Sequence, residues 1–414
     1  MSKGFEANHV VFTIADWCAK KMTVVPPLLY KVKNKSAAQK YKSIIKAGGF
    51  DNEATRLILK NAAFDEVESH PILDLLKQPN QFMSWDEFVY GYFIFKQFVG
   101  NATIQGVWTD NGLNAGKIQQ LWLMPSNYIE AVSGQGLTII DHYIDKRYPT
   151  EKIPAEQILR VRNFSSDYSA AGRHLNGMSV LKAANRLLKK SNEALDAETE
   201  ALQNRGAAKL IFPKIPTEQL PSEEQMDAAN ADMRKRLKEA GNQGVVINSL
   251  PLDSLEIGLS PVDLQILETQ KADVAFWASL FHVDSRVVMN DHQSSTKDNM
   301  QTARLNSLLD GVIPHLVALE NGLNSWLIPT YKEQGLYIEF DTTVYPEIQR
   351  QLRETAKEMK EAESFTVNEI RKMWKYADYD GENGDKILVS SSKTILDDLS
   401  NTLPDVANLD SVGY

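Results

Sequence analysis

Leu181, Leu188, Leu195 and Leu202 recur every seven residues between Ser179 and Arg205. Val180, Leu187, Ala194 and Ala201 stand beside them, so the apolar positions make one stripe along a helix. Ser179 can cap its start and Gly206 can end it. At 1.5 Å per residue the rod is about 40 Å long, and a rod of that length must lay its stripe against something. The alternate heptad positions, Ala184, Ser191, Glu198 and Arg205, are mostly not apolar. That pattern disfavours a coiled coil and fits a helix packed on its own core. A second rod follows, because Ser260-Pro261-Val262-Asp263 puts proline in a first turn and an acid at the positive end of a helix, predicting a helix to about Phe281. Between the rods, residues 207–259 read as a small α/β insertion. Lys209 to Phe212 and Val245 to Asn248 are strand-like, and Glu223 to Ala240 is a polar helix. Two long helices thus bracket a compact insertion.

The flanks follow other rules. Residues 1–178 mix short helices and strands as an α+β module. Val11 to Met22 is helical, and Pro71 to Leu76 is a short helix stopped before Pro79. Ser84 and Glu87 form a capping box for a helix running to Val99, where Gly100-Asn101 supplies a left-handed end. Strand-like pieces follow at Ala102 to Trp108, Gln119 to Leu123 and Gly136 to Tyr143. Beyond the second rod, Asp284 to Asp298 is polar and unpatterned, hence a loop. A helix from Asn299 to Ile328 contains Pro314, which removes a backbone bond to Asp310 and predicts a kink near Asp310-Gly311. Tyr337 to Asp341 is a strand, a charged helix runs to Glu363, and Thr366 with Glu369 boxes the start of another at Ile370 to Tyr376. Residues 397–414 hold four aspartates and no lysine or arginine, and read as a frayed acidic tail.

A hydrophobic share of 43% against 24% charged residues places the 414-residue chain among folded proteins of two or three modules. The formal charge is −9, whereas a protein that grips duplex DNA by its phosphates carries a basic surplus. Cys18 is the lone cysteine, which excludes an internal disulfide and a cysteine zinc site and fits manufacture in a reducing cytoplasm. The start of the chain lacks a secretion-signal pattern, and no apolar run is long enough to span a bilayer, so a soluble protein is expected.

Sites for chemistry fail on inspection. Gly112 to Ile118 approximates a phosphate-binding loop, but it is one residue short and lacks the hydroxyl residue after Lys117, so it reads as a hairpin turn. Asp378 to Asp385 approximates a calcium loop but lacks glycine at its sixth position and has Val389 at its twelfth, so it reads as a solvated turn. His142, between Asp141 and Asp145, imitates a metal site and reads as a surface histidine at a strand end. The expectation is no catalytic residue, no metal and no cofactor.

The order of these pieces resembles the portal, or head-tail connector, family of tailed bacteriophages, over nearly the whole length. Four segments carry the likeness: Ala15-Asp16-Trp17 through Val25-Pro26; His70-Pro71 with Leu75-Leu76 and Pro79-Asn80, then the aromatic helix closing in Gly100-Asn101-Ala102; Gln265 and Glu268 through Phe281 and Val283, then the polar loop and the kinked helix with Glu320, Leu323 and Asn324; and Phe365-Thr366 with Asn368-Glu369 and Arg371, then Gly384-Asp385. Many relatives carry proline where Asp284 stands here, which bears on the local turn and not on the family.

The resemblance implies an α+β portal fold: a wing (1–178 and 299–343), a two-helix stem (179–206 and 260–283), an α/β clip (207–259), a tunnel loop (284–298), a helical crown (344–396) and the acidic tail (397–414). It implies a homo-oligomer, a dodecameric ring at one capsid vertex of the virion. The expected partners are the terminase large subunit, the major capsid protein and scaffold, a head-tail adaptor, and the double-stranded DNA that is packaged and ejected through the channel. No membrane is involved. In the tunnel loop Asp291, His292, Gln293 and Lys297 are the candidates for facing DNA. In the clip Arg234, Lys235, Arg236 and Lys238 are the candidates for docking, with a solvated helix face as the plain alternative. The stem charges, Lys182, Arg186, Lys189 and Lys190 against Glu193, Asp196, Glu198 and Glu200, read as a solvated face or as contacts between neighbours. Two alternatives stand beside it: the portal of a gene transfer agent or domesticated prophage, which shares the fold and role, and an enzyme acting on a polymer, which needs a pocket of convergent titratable groups that the sequence does not offer.

Overall fold

The computed structural model describes residues 8–46, 59–109, 115–134, 139–168, 173–203, 208–213, 252–257, 266–289, 297–361 and 365–373, with single positions within 222–235 and 376–387. In chain order the elements are α1 (His9–Thr23), β1 (Pro27–Val32), α2 (Lys35–Lys46), β2 (Phe64–Glu66), α3 (Pro71–Lys77), α4 (Trp85–Phe98), β3 (Asn101–Trp108), β4 (Ile118–Met124), β5 (Ile129–Ser133), β6 (Ile140–Asp145), β7 (Tyr148–Pro154) and β8 (Ile158–Arg162). Then come α5 (Val180–Ala183), α6 (Asn185–Gln203), β9 (Ala208–Pro213), β10 (Leu252–Ile257), α7 (Ile266–Leu280), α8 (Ser285–Met289), α9 (Lys297–Gly311), α10 (Ile313–Trp326), β11 (Leu336–Phe340), α11 (Pro346–Glu361) and α12 (Val367–Met373). The chain divides into two compact units, one of residues 1–183 with 277–414 and one of residues 184–276.

The larger unit holds three antiparallel three-stranded sheets, ordered β11-β1-β2, β4-β3-β8 and β5-β6-β7. Helix α1 buries Val10, Val11, Ile14, Ala15, Cys18, Ala19 and Met22, spaced three or four apart, and packs against α4. The capping box at Ser84 is formed in both directions, and Gly100 ends α4 at φ +98°. Trp85 stacks on Phe88 and also meets Phe340 of β11, which joins α4 to the first sheet. Phe64, Tyr30, Tyr41 and Tyr337 close a second core between that sheet and α2.

The helix expected over 299–328 is divided where Pro314 requires it. Helix α9 ends at Gly311, Val312 is the N-cap, and α10 restarts with proline in its first turn. Gly311 also touches the returning chain, since a Cβ there would lie 2.9 Å from the Phe281 carbonyl oxygen and 3.0 Å from that of His282. Leu159 and Val161 of β8 pack just as closely on Gly322 of α10.

The rod expected over 179–205 is instead two pieces, α5 in the larger unit and α6 in the smaller, separated in sequence by a turn at Ala184. Asn185 follows that turn, and asparagine competes for its own backbone groups and weakens a helix at that point. Strands β9 and β10 pair antiparallel from Ala208 opposite Ile257 to Pro213 opposite Leu252. The strand expected at Val245 to Asn248 lies outside the described residues. Lys190 of α6 reaches the buried Asp273 of α7 at 3.6 Å.

Candidate functional site

The residues that carried the family resemblance are hydrogen-bonding knots of the fold. Asn80 is buried, and its amide N–H donates to the Leu121 carbonyl at 2.8 Å while its oxygen accepts the N–H groups of Phe82 and Met83, both at 2.9 Å. His70 caps α3, its Nδ1 accepting from the Ile72 N–H at 3.1 Å. Asp16 accepts the Tyr90 hydroxyl at 3.0 Å and pairs with Lys20 at 2.8 Å. Asn324 and Glu320 of α10 treat the edge of β11 as a missing strand would. The Asn324 amide donates to the Ile338 carbonyl at 2.7 Å, its oxygen accepts the Ile338 N–H at 2.8 Å, and Glu320 Oε2 accepts the Phe340 N–H at 3.2 Å. An edge strand is thereby covered and its backbone satisfied. Thr366 and Glu369 form the second capping box, at 2.8 and 3.2 Å.

The tentative metal and nucleotide motifs dissolve in the same way. The ends of the supposed phosphate loop belong to the β3–β4 hairpin, closed by the Gly116 N–H donating to the Thr109 carbonyl at 3.0 Å. The expected solvated turn at Asp378 to Asp385 folds back on α12. Asn368 donates to Asp385 at 3.1 Å and accepts the Tyr379 N–H at 2.7 Å, and Gly384 is buried against it. His142 is a correction to the expectation of a surface site at a strand end. It lies within β6, its side chain only 12% exposed, with Nδ1 2.6 Å from Asp141. The third imagined ligand, Asp145, is held by the guanidinium of Arg147 at 2.7 Å, which keeps its carboxyl below the usual range. Among the described residues there is no group of three or more histidine, cysteine or carboxylate side chains placed to hold a metal.

Titratable groups with displaced pKa values lie inside the larger unit. Glu320 is pushed up to about 8 by burial and by the neighbouring Glu339 carboxylate, against hydrogen bonds from Tyr337 and Phe340. Glu339 accepts Lys60 at 3.1 Å and the Tyr41 hydroxyl at 2.7 Å. Burial opposes the Lys60 charge, but Glu339 and Tyr30 more than offset it and hold the ammonium above its ordinary range. His315 is pulled down to about 3 by burial and by Lys96, whose own pKa burial lowers to about 8. His315 lies between Lys96, whose Nζ is 2.9 Å from Nδ1, and the Gln97 side-chain amide, 2.7 Å from Nε2. Burial raises the Cys18 thiol to about 12, which leaves it without thiolate character at neutral pH. These groups answer to one another and not to an open cleft. A groove of about 490 Å³ between α9 and α11 does hold Asp298, Arg304, Glu347, Arg350 and Glu354. There Arg350 is shared by Glu354 at 3.1 Å and Asp298 at 3.9 Å, so its charges partly cancel.

Of the tunnel-loop candidates, Asp291, His292 and Gln293 lie outside the described residues, and Lys297 is the first residue of α9. The chain ahead of them is anchored on α9. His282, at φ +56°, turns the chain after α7, and Val283 is buried. The Asp284 N–H donates to Ser307 Oγ of α9 at 2.9 Å. Asp284 Oδ1 accepts the Arg286 N–H at 2.9 Å, and its carboxylate takes the Arg286 guanidinium at 2.9 and 2.6 Å. An aspartate that caps a helix thus starts α8. Of the clip candidates, Arg234, Arg236 and Lys238 lie outside the described residues, and Lys235 is helical and exposed. In the stem, Lys182, Arg186, Lys189, Lys190, Glu193 and Asp196 are exposed.

Sequence reasoning missed strand β10 and the buried Lys60–Glu339–Glu320 group. The signal for the latter was present: glutamate on the apolar face of α10 and again within the buried strand β11.

Comparisons with known proteins bear on all of this. A protein of Rickettsia bellii is 22% identical over 319 residues, covering 76% of this chain and 80% of that protein. One of Rickettsia felis is 22% identical over 320 residues with the same coverage. Among solved structures, the neck of a native gene transfer agent particle computed with C12 symmetry superposes with a TM-score of 0.61 at 18% identity, over 91% of this chain and 92% of that one. An HK97-family phage portal protein from Corynebacterium diphtheriae superposes with a TM-score of 0.53 at 12% identity, over 81% and 93%. The family model described as phage portal protein matches residues 54–374, most of the chain, and the chain belongs to the phage portal protein family.

Proposed function

We propose that the chain is the repeated subunit of a ring, of about a dozen copies, through which double-stranded DNA enters a capsid and later leaves it. The observation that carries the reading is the family match across 54–374 together with an interrupted architecture. One helix leaves the larger unit, a strand pair lies beyond it, and a second helix returns. In this reading residues 184–276 supply the stem helices and the clip, where the terminase large subunit docks first and a head-tail adaptor later. Segment 284–298 serves as the tunnel loop, α9, α10 and β11 belong to the wing, and α11 with α12 to the crown. The capsid protein and scaffold would surround the wing.

The charge fits the task. A channel that must pass DNA both ways cannot bind its phosphates tightly, because releasing counterions makes such binding strong and sliding slow. A subunit of net charge −9 keeps the duplex mobile. The start of the segment is held on α9: Asp284 is bonded to Ser307, and the turn at His282 lies against Gly311.

Mass photometry or negative-stain microscopy of the purified chain tests the reading directly. Rings with a central hole support it; small closed oligomers without a hole refute it. Replacing Asp291-His292-Gln293 by three glycines is expected to leave rings intact and to impair DNA packaging or retention. Unchanged packaging and retention would remove the tunnel-loop assignment. The likeness to gene transfer agent particles, at TM-scores of 0.61 and 0.62, favours a second reading in which the packaged DNA is the host's own. Sequencing the DNA inside purified particles separates the two.

A further inference from the structure

Six lysines and no aspartate or glutamate occupy residues 31–46, in a chain whose acids outnumber its bases by nine. Positive charge is therefore concentrated in one short stretch. Lys31 lies in β1 and Lys33 just beyond it, while Lys35, Lys40 and Lys42 stand on α2, and all five are exposed. Asn34 joins the two elements. Its Oδ1 accepts the N–H groups of Ser36 and Ala37 at 3.0 and 3.2 Å and so starts α2. Lysine is a poor choice there for stability, because the start of a helix is its positive end, and α2 has no acid in its first turn to offset it. Little else answers the charge. Asp65, which faces Lys31 across the β1–β2 ladder, takes Lys33 at 3.3 Å, and Lys42 lies over the Tyr337 ring at 4.5 Å. Among the described residues, Lys31, Lys35 and Lys40 form no ion pair with a carboxylate.

We propose that this face binds the phosphate backbone of duplex nucleic acid, without regard to sequence. The chemistry of the face sets the other polyanions aside in turn. A protein interface gathers aromatic, methionine and arginine side chains and is poor in lysine, serine and alanine. Residues 31–46 are the reverse: they hold no arginine, and among the described residues no large apolar side chain is exposed between Val24 and Phe82. An anionic membrane takes up an amphipathic helix by its apolar side. On α2 that side is already used, because Ala38 and Tyr41 are buried with Tyr30, Phe64 and Tyr337. Single strands are held by bases stacked on aromatic rings, and the rings here are all buried. A duplex asks only for positive charges spaced along a firm surface, since its phosphates are fixed and outward-facing. Lys35 and Lys42, two helical turns apart, are separated by about 10 Å along α2 and can meet different phosphates. The proposal goes beyond the channel reading and does not depend on it, because β1 and α2 lie outside every segment assigned to the channel.

The test is Lys31→Gln, Lys35→Gln and Lys40→Gln together in the full chain, with a fluorescein-labelled duplex of mixed sequence as the probe and anisotropy as the readout. All three side chains stand in water, so the melting temperature and the oligomeric state should not change. For three phosphate contacts, the parent's affinity should fall about fortyfold between 50 and 200 mM salt. The triple variant should bind at least about tenfold more weakly at 50 mM and lose most of that salt dependence. Should the triple variant melt early, the three single variants carry the test, each lowering the salt slope by about one. Lys146→Gln with Lys357→Gln and Lys360→Gln makes the same change of charge at exposed lysines that stand among carboxylates, Glu130 beside the first and Glu358 and Glu361 beside the others, and should leave binding unchanged. No loss in the first triple variant, or an equal loss in the second, overturns the proposal. So does a parent chain that prefers polyglutamate, phosphatidylserine vesicles or single-stranded DNA to the duplex. None of these outcomes bears on whether the chain forms rings, so the channel reading is judged separately.

Discussion

Glu320→Gln should make the protein more stable at alkaline pH, although it deletes a charge from a hydrogen-bonded buried cluster. Glu320 is 5% exposed, accepts the Tyr337 hydroxyl at 2.6 Å and the Phe340 N–H at 3.2 Å, and has the Glu339 carboxylate as a neighbour. Burial and the Glu339 charge push its pKa up to about 8 in the native state, from an ordinary 4.5. Between those values the native chain binds more protons than the unfolded chain, so stability falls as pH rises through this window and the loss is complete above about pH 8. At 1.36 kcal/mol per unit, moving from pH 5 to pH 9 costs roughly 3–4 kcal/mol from this one group. Glutamine has no proton to lose. Its oxygen can accept the Phe340 N–H, and its amide can donate to the Tyr337 oxygen. The variant should therefore lie within about 1 kcal/mol of the parent at pH 5 and exceed it by about 3 kcal/mol at pH 9. Urea unfolding at pH 5, 7 and 9 reads both numbers. The matching swap at the neighbouring carboxylate has the opposite sign. Glu339→Gln strands the buried Lys60 ammonium and should cost about 3 kcal/mol at pH 7. Parallel stability–pH curves for the parent and Glu320→Gln would refute the assignment of the proton, whatever the absolute stabilities.

Two further substitutions probe the knots of the fold. Asn80→Ala leaves one buried carbonyl and two part-buried N–H groups without this partner and should cost about 2–3 kcal/mol, read as a fall in melting temperature, while Gln97→Ala bears on a single side-chain contact and should cost less. Gly311→Ala forces a methyl group against the carbonyls of Phe281 and His282 and should cost about 1–3 kcal/mol, whereas alanine at the exposed Asp298 of the same helix should be tolerated.

Much of the fold was legible because it follows from local rules. Both capping boxes, the left-handed end at Gly100, the stop before Pro79 and the break ahead of Pro314 each depend on a residue whose backbone chemistry admits few alternatives. Elements whose cause is distant in sequence were less legible. Strand β10 exists because it pairs with β9 some forty residues away, and the break at Ala184 interrupts an apolar stripe that reads as continuous. Burial of His142 was hidden for the same reason: nothing beside it in sequence says that β5 and β7 flank it on either side.

The family signature and the function sit on different residues, and there is a physical reason for the separation. Asn80, Glu320, Asn324, Thr366 and Asn368 each satisfy backbone groups that would otherwise be buried and unpaired, so almost any replacement carries a folding penalty. Such residues identify the fold. A channel that must not grip its cargo places the reverse demand on the surfaces that do the work. It requires the absence of strong sites, which leaves no motif to read. What can be read is the frame that holds such a surface, and here that frame is specific: Asp284 bonded to Ser307, Gly311 against the turn at His282, and Gly100 against Gly177 at the root of the first rod.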